Sequence, residues 1–365
     1  MACDFIALAT PGVQKISPYQ PGKPIEELER ELGISDIIKL ASNENPLGCS
    51  PHVLTAIDSG LSELALYPDG NGFVLKRALS DFYQRPIPEI TLGNGSNDIL
   101  ELVGRAFLQP GDEAIYAQHS FAVYPLVVQA VGATGITVPA RNWGHDLAAM
   151  AKAVTAKTRV IFIANPNNPT GTWVEKDELD AFFKEVSENV LVVLDEAYGE
   201  YVDASDFPDG MSYLSRYPNV IVSRTFSKAY GLAGLRVGYA FAHPDITNVL
   251  NRVRQPFNVN ALALRAAVAA LRDQDFVSRS RALNAAGMQQ LTEGVQALGL
   301  SVIPSRGNFL CVHLKRAGLP VYDALLRQGV IVRPVTNYGM PEYLRVTIGT
   351  SAENSRFLAA LKAVL

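Results

Sequence analysis

The amino-acid sequence predicts an α/β fold, with a mainly parallel sheet covered by helices and a smaller α+β domain. Three observations carry this. At 365 residues the chain exceeds the usual size of one hydrophobic core, so two domains are expected. Between about residues 51 and 242, short continuous Val/Ile-rich runs read as strands buried on both faces. Helical patterns separate several of these runs, which is the alternation of a helix-covered parallel sheet.

The first stretch, to about Pro46, is rich in Pro, Gly and polar residues (SPYQPGKPIEE, ASNENPLG). It reads as an arm with a short amphipathic helix near 26–32. Strands are then expected at 113–117, 135–138, 160–164, 190–194, 220–224 and 237–242. Helices are expected at 97–108, 124–131, 147–154 and 175–188. Residues 261–298 carry an Ala/Leu-rich pattern of helical period, broken near 273–275, which predicts two long helices. Beyond them short strands (301–304, 309–314, 330–335, 344–348) flank one helix at 320–328. A closing helix, 352–365, is expected to start after Ser351 as N-cap. The expected division is 1–45 as the arm and part of the small domain, 46–260 as the large domain and 261–365 as the small one.

Composition excludes several classes of function. The chain is 48% apolar and 19% charged with net charge −4, and it has no basic stripe of the kind that binds nucleic acid or a membrane surface. Cys3, Cys49 and Cys311 are far apart and lack metal-ligand spacing, so neither a disulfide framework nor a metal site is expected. The segment MACDFIALATPGVQ has no basic n-region or long apolar run. It is not read as a signal peptide, and the expected location is cytoplasmic.

The chemistry concentrates around SRTFSKAYGLAGLRVGY, residues 223–239. Lys228 lies among small and apolar residues, where partial desolvation lowers an ammonium pKa and frees the amine as a nucleophile. Such a lysine suits a Schiff base with pyridoxal 5′-phosphate (PLP). Arg236, beyond a turn with Gly231 and Gly234, offers a fixed cation for the cofactor phosphate. LVVLDEAY (191–198) ends a β-run on Asp195, at the strand end where open α/β sheets build sites. An ionised Asp keeps a pyridine nitrogen protonated, and the protonated ring is the electron sink. Tyr198 is placed to reach the phenolic oxygen, whereas Glu196 points the other way and reads as structural.

ANPNNPTGT (164–172) follows a strand directly, so Asn168 is a candidate for the same phenolic oxygen. LGNGSNDIL (92–100) opens a helix with small residues whose free N–H groups favour an anion, which nominates Gly95, Ser96 and Asn97 for phosphate. A dinucleotide fingerprint fails there, because Asp98 stands where its third glycine belongs. In SFAVYP, Phe121 is a candidate for stacking on the ring. Arg345 in YLRVTIG and Arg333 in VIVRPV sit inside apolar strand patterns, and a buried guanidinium needs an anionic partner.

Taken together with Tyr67 in LYPDGNG, these motifs span most of the chain in one order. The sequence resembles the fold type I PLP enzymes, the aspartate-aminotransferase superfamily. SPYQPGKP, KLASNENPLG, LYPDG and RPVTNYGMPEYLRVTIGT look like its histidinol-phosphate aminotransferase branch. The resemblance implies a mostly parallel seven-stranded sheet and a transamination that converts L-histidinol phosphate and 2-oxoglutarate to imidazole-acetol phosphate and L-glutamate, and the reverse. It implies that Lys228 forms the imine and shuttles the proton, that Asp195 pairs with the ring nitrogen, and that Tyr198 and Asn168 contact the phenolic oxygen. Phe121 would stack on the ring. Gly95, Ser96, Thr225, Ser227 and Arg236 would bind phosphate. Tyr67 would reach the phosphate in a neighbouring subunit, which implies a homodimer with shared sites. Arg345 would meet a substrate carboxylate or phosphate, with Arg333, Tyr19 and Asn45 assisting. The chain departs from the family in having Asn97-Asp98 for Asp-Glu and Phe121 for Tyr. An aromatic-amino-acid aminotransferase and a threonine-phosphate decarboxylase share these cofactor residues. A PLP-binding regulatory module would need a nucleic-acid-binding segment, which the chain before Pro46 does not show.

Overall fold

The computed structural model describes residues 3–19, 21–204 and 206–365. Met1, Ala2 and Gln20, which fall within the quoted N-terminal motifs, lie outside it. Thirteen strands are present among the described residues: β1 (Ile38–Lys39), β2 (Ile90–Gly93), β3 (Glu113–Ala117), β4 (Thr134–Val138), β5 (Thr158–Ala164), β6 (Leu191–Asp195), β7 (Val220–Thr225), β8 (Gly238–Ala242), β9 (Ser301–Ile303), β10 (Phe309–His313), β11 (Val330–Ile331), β12 (Arg333–Pro334) and β13 (Tyr343–Thr347).

The large sheet has seven strands in the order β2-β8-β7-β6-β5-β3-β4. Its neighbours are parallel from β7 to β4, and β8 alone runs against both β2 and β7. Val160, Ile161, Phe162, Val192, Val193, Val220 and Ile221 are fully buried, because helices cover both faces. β2 is the strand that the sequence pattern did not indicate; only four residues long, it lies beside β8 at the sheet edge.

Register decides what the sheet can do. Ala164 pairs with Asp195, Asp195 with Ser223, Thr225 with Gly238, and Gly238 with Gly93. The ends of β5, β6 and β7 therefore lie side by side, and the turn after Gly93 opens beside them. The second sheet, β12-β13-β10-β9, is antiparallel. Between these bodies β1 pairs in parallel with β11, which ties the arm to the smaller one.

Two boundaries differ from expectation. The helix Ala261–Arg272 lies beyond residue 260, yet Ala263, Ala266, Ala267, Ala270 and Leu271 pack into one core with Val53, Leu75, Phe226 and Tyr239. Its small side chains let it lie close against the large body, and the long helix Gln274–Ala297 runs on from it. The last helix is Ser351–Val364 and its N-cap is Thr350, not Ser351. Thr350 forms a capping box with Glu353, which satisfies N–H groups that the helix start leaves open.

Candidate active site

A cavity of about 230 Å³ opens at the carboxyl ends of β5, β6 and β7. It is lined from three directions. The large sheet supplies Ser96, Asn97, Phe121, Asn168, Asp195, Tyr198, Thr225, Ser227, Lys228 and Arg236. The small sheet supplies Arg333 and Arg345, and the N-terminal stretch supplies Tyr19, Pro21, Gly22, Ala41, Ser42 and Asn43. Its charged lining is three arginines, one lysine and one carboxylate, so the space favours anions.

Asp195 ends β6 with its side chain 5% exposed. Tyr124 donates its hydroxyl to Oδ2 at 2.8 Å, whereas Oδ1 is buried with no partner among the described residues. Burial pushes this carboxyl up to about 6, against the pull of the Tyr124 hydroxyl and the Ala197 backbone. Tyr124 is itself fixed by stacking on Phe162 at 4.8 Å.

Lys228 lies just past the end of β7, where Nζ donates to the Ser42 carbonyl at 3.0 Å. Burial lowers its amine to about 7, and the Arg345 charge adds to the effect. Tyr198 sits beside it, its ring centroid 5.8 Å from Nζ, and burial pushes the phenol up to about 12.

The helix Ser96–Phe107 begins behind Gly95 at φ 82°. A Cβ on Gly95 would meet Arg236 Nη2 at 2.5 Å, so only glycine lets the arginine come this close. Arg236 Nη1 donates to Ser227 Oγ at 3.3 Å, and Ser227 N donates to Thr225 Oγ1 at 3.1 Å. Free helix N–H groups, two hydroxyls and a guanidinium thus converge on one corner.

Arg333 and Arg345 are directly opposite one another on β12 and β13, which puts both side chains on one face of the small sheet. Arg345 is 7% exposed. It donates from Nη1 to Asn168 Oδ1 at 2.6 Å and from Nη2 to the Ala41 carbonyl at 2.7 Å, and its Nε is buried without a partner among the described residues. Arg333 lies 5.8 Å from the Tyr19 ring centroid. Cys311, opposite Arg345 on β10, donates to the Pro169 carbonyl at 3.0 Å and so holds the loop that carries Asn168.

Thirteen nominated residues line the cavity, and three do not. Gly95 stands behind it against Arg236. Asn45 is buried outside it, its Nδ2 bound to the Ala229 carbonyl and to Ser280 Oγ, both at 2.8 Å. Tyr67 is 84% exposed and stacks on Phe257 at 4.7 Å, in a separate groove. Sequence reasoning passed over Tyr124 and Asn43. Tyr124 is three residues beyond Phe121 and read as ordinary helix, while Asn43 lies two residues before the Asn45 chosen in the same motif. Glu196, assigned a structural part, points away from the cavity and pairs with Arg224 at 2.7 Å.

The donor set fits PLP. The unpartnered Asp195 Oδ1 matches a ring N–H, the neutralisable amine of Lys228 matches an aldehyde, and the corner at Ser96 and Arg236 matches a phosphate. The family of class I and II aminotransferases matches residues 35–361, and the chain belongs to it. It is 62% identical over 367 residues to histidinol-phosphate aminotransferase 2 of Pseudomonas fluorescens, covering 100% of this chain and 99% of that protein. It is 58% identical over 359 residues to histidinol-phosphate aminotransferase of Methylobacillus flagellatus, covering 98% and 97%. The crystal structure of histidinol-phosphate aminotransferase from Sinorhizobium meliloti in complex with pyridoxal-5′-phosphate superposes with TM-score 0.90 at 30% identity, over 97% of this chain and 96% of that one.

Burial of Lys228 has a consequence for stability. An unfolded chain holds this amine near 10.5, the folded one near 7. As pH falls from about 10 towards 7 the unfolded state takes up a proton that the folded state does not, so stability is lost. In the cofactor-free protein, Lys228→Met should raise Tm by about 3 °C or more near pH 7. Thermal melts across the range should show that gain shrinking towards pH 10; a gain independent of pH would contradict the buried amine.

Proposed function

We propose that this protein is a PLP-dependent histidinol-phosphate aminotransferase. It exchanges an amino group between L-histidinol phosphate and 2-oxoglutarate, giving imidazole-acetol phosphate and L-glutamate, a step of histidine biosynthesis. The observation that carries the substrate is the end-to-end likeness to relatives of that name. The cavity supports it, because one site must take a carboxylate and a phosphate in turn and two arginines face it side by side.

Bound PLP supplies an aldehyde for the amine and a protonated ring that takes up the electrons left at Cα. Lys228 would hold that aldehyde carbon, and its freed amine is the group placed to take up the substrate Cα proton. An amine near 7 is partly neutral at physiological pH, as a general base must be. The Ser42 carbonyl gives the freed amine an acceptor. Asp195 would hold the ring N–H through Oδ1, with Tyr124 fixing Oδ2. Tyr198 and Asn168 would hold the phenolic oxygen, and Phe121 would pack on the ring. Ser96, Asn97, Thr225, Ser227 and Arg236 would hold the phosphate, while Gly95, its own N–H donated to the Gly93 carbonyl, lets Arg236 come close. Arg345 binds the substrate anion, with Arg333 and Tyr19 beside it. Asn45, outside the cavity, acts by fixing the backbone near Lys228.

A homodimer in the cytoplasm belongs to the same reading. Leu64, Leu66, Tyr67, Phe73 and Val74 are all exposed, and Leu66, Tyr67 and Val74 line one apolar groove, the kind of surface an oligomer covers. The partner subunit's Tyr67 would complete the phosphate site.

Two measurements test the proposal. Stopped-flow absorption of the PLP-loaded protein should show fast loss of the lysine-bound cofactor band with L-histidinol phosphate and a far slower loss with L-phenylalanine. Equal or reversed rates would make it an aromatic aminotransferase, and carbon dioxide release from a phosphorylated amino acid would make it a decarboxylase. Lys228→Ala should show neither the band nor turnover. Steady-state kinetics of Arg345→Ala should raise KM for both substrates about tenfold or more; an unchanged KM for both removes Arg345 from the site.

A further inference from the structure

Three consecutive residues of the N-terminal stretch touch three groups of the site. The Ala41 carbonyl accepts from Arg345 at 2.7 Å, the Ser42 carbonyl accepts from Lys228 at 3.0 Å, and Asn43 Nδ2 donates to the Tyr198 hydroxyl at 2.9 Å. Asn43 is 1% exposed and sits at φ 56°, a conformation that few residues besides Gly and Asn accept. The Asn308 amide donates to its carbonyl at 3.0 Å. This asparagine is built into the site rather than resting on it.

Its amide has a fixed direction. Asn43 N–H donates to Thr347 Oγ1 at 2.9 Å, and the Thr347 hydroxyl donates to Asn43 Oδ1 at 3.3 Å. With Oδ1 held by Thr347, Nδ2 must face Tyr198. A hydroxyl that accepts from an amide N–H cannot aim its own proton at that nitrogen. The ring of Tyr198 is held edge-on to Phe309 at 5.1 Å, so the remaining direction for the proton is into the cavity.

We propose that Asn43 is a positioning residue: locked by Thr347, it sets the Tyr198 hydroxyl as a donor towards the cofactor's phenolic oxygen. The inference rests on the PLP reading above. A donor on that oxygen competes with the proton on the lysine-bound nitrogen for the same lone pair. It therefore lowers the pH at which that nitrogen loses its proton, and losing the donor raises it. Facing Tyr198 are Asp195, Arg345, Tyr124, Tyr201, Tyr338 and Lys228. Lys228 is also faced by Glu44, Arg236 and Lys39. Substituting Asn43 leaves all of them in place.

The test is a pH titration of the absorption of the PLP-loaded protein. Asn43→Gly keeps the left-handed backbone and should raise the midpoint by about half a pH unit. In a Tyr198→Phe background the same substitution should give no shift, since Asn43 acts through the hydroxyl. Thr347→Val, which frees the amide without removing it, should give a smaller rise that also depends on Tyr198. No shift in either single variant overturns the proposal, as does an equal shift with and without the hydroxyl. A wild-type protein with no lysine-bound band after PLP is supplied overturns the PLP reading itself, and this inference with it.

Discussion

Burial of an amine and a carboxylate at adjacent strand ends is the constraint on which the rest depends. Asp195 and Lys228 are both held away from water, one pushed up to about 6 and the other down to about 7. A buried charge without a partner costs several kcal/mol, so such an arrangement is unfavourable in the bare protein. On the proposed reading, a ligand that brings a cationic ring N–H to the carboxylate and an aldehyde to the amine would make it favourable. The register of β5, β6 and β7 brings these strand ends together. The fold therefore creates the need that the cofactor meets.

The second body closes the cavity from the other side. Its antiparallel sheet places Arg333 opposite Arg345, and Cys311 opposite Arg345 on the next strand. Arg345 and Cys311 both reach the loop after β5, through Asn168 and the Pro169 carbonyl. The burial-raised thiol of Cys311, about 12, leaves it a hydrogen-bond donor rather than a nucleophile. Residues 41–43 lie between the two bodies and touch Arg345, Lys228 and Tyr198 in turn. Three side chains of the cavity are thus tied to one short stretch of chain.

Much of this was legible in the sequence because strands buried on both faces leave continuous Val/Ile runs, and a polar residue ending such a run stands out. Asp195 and Asn168 were found that way, and Lys228 and Arg236 by their Gly-rich surroundings. Tyr124 was not, because a tyrosine on a helix looks the same whether its hydroxyl meets water or a carboxylate. Asn43 was missed for a related reason. In ASNENPLG two asparagines stand two apart, and only the backbone turn at φ 56° decides that Asn43 faces the cavity while Asn45 turns to Ala229 and Ser280. That the helix after residue 260 packs on the large body was not legible, because an Ala-rich helix carries no mark of which neighbour it packs against.

The measurement that bears most directly on the buried carboxylate compares binding of PLP with that of its analogue carrying carbon in place of the ring nitrogen. If Asp195 Oδ1 awaits a ring N–H, the wild-type protein should prefer PLP about tenfold or more, and Asp195→Leu should lose that preference. Equal affinity of the wild-type protein for both would contradict the account, because the unpartnered oxygen would then have some other purpose.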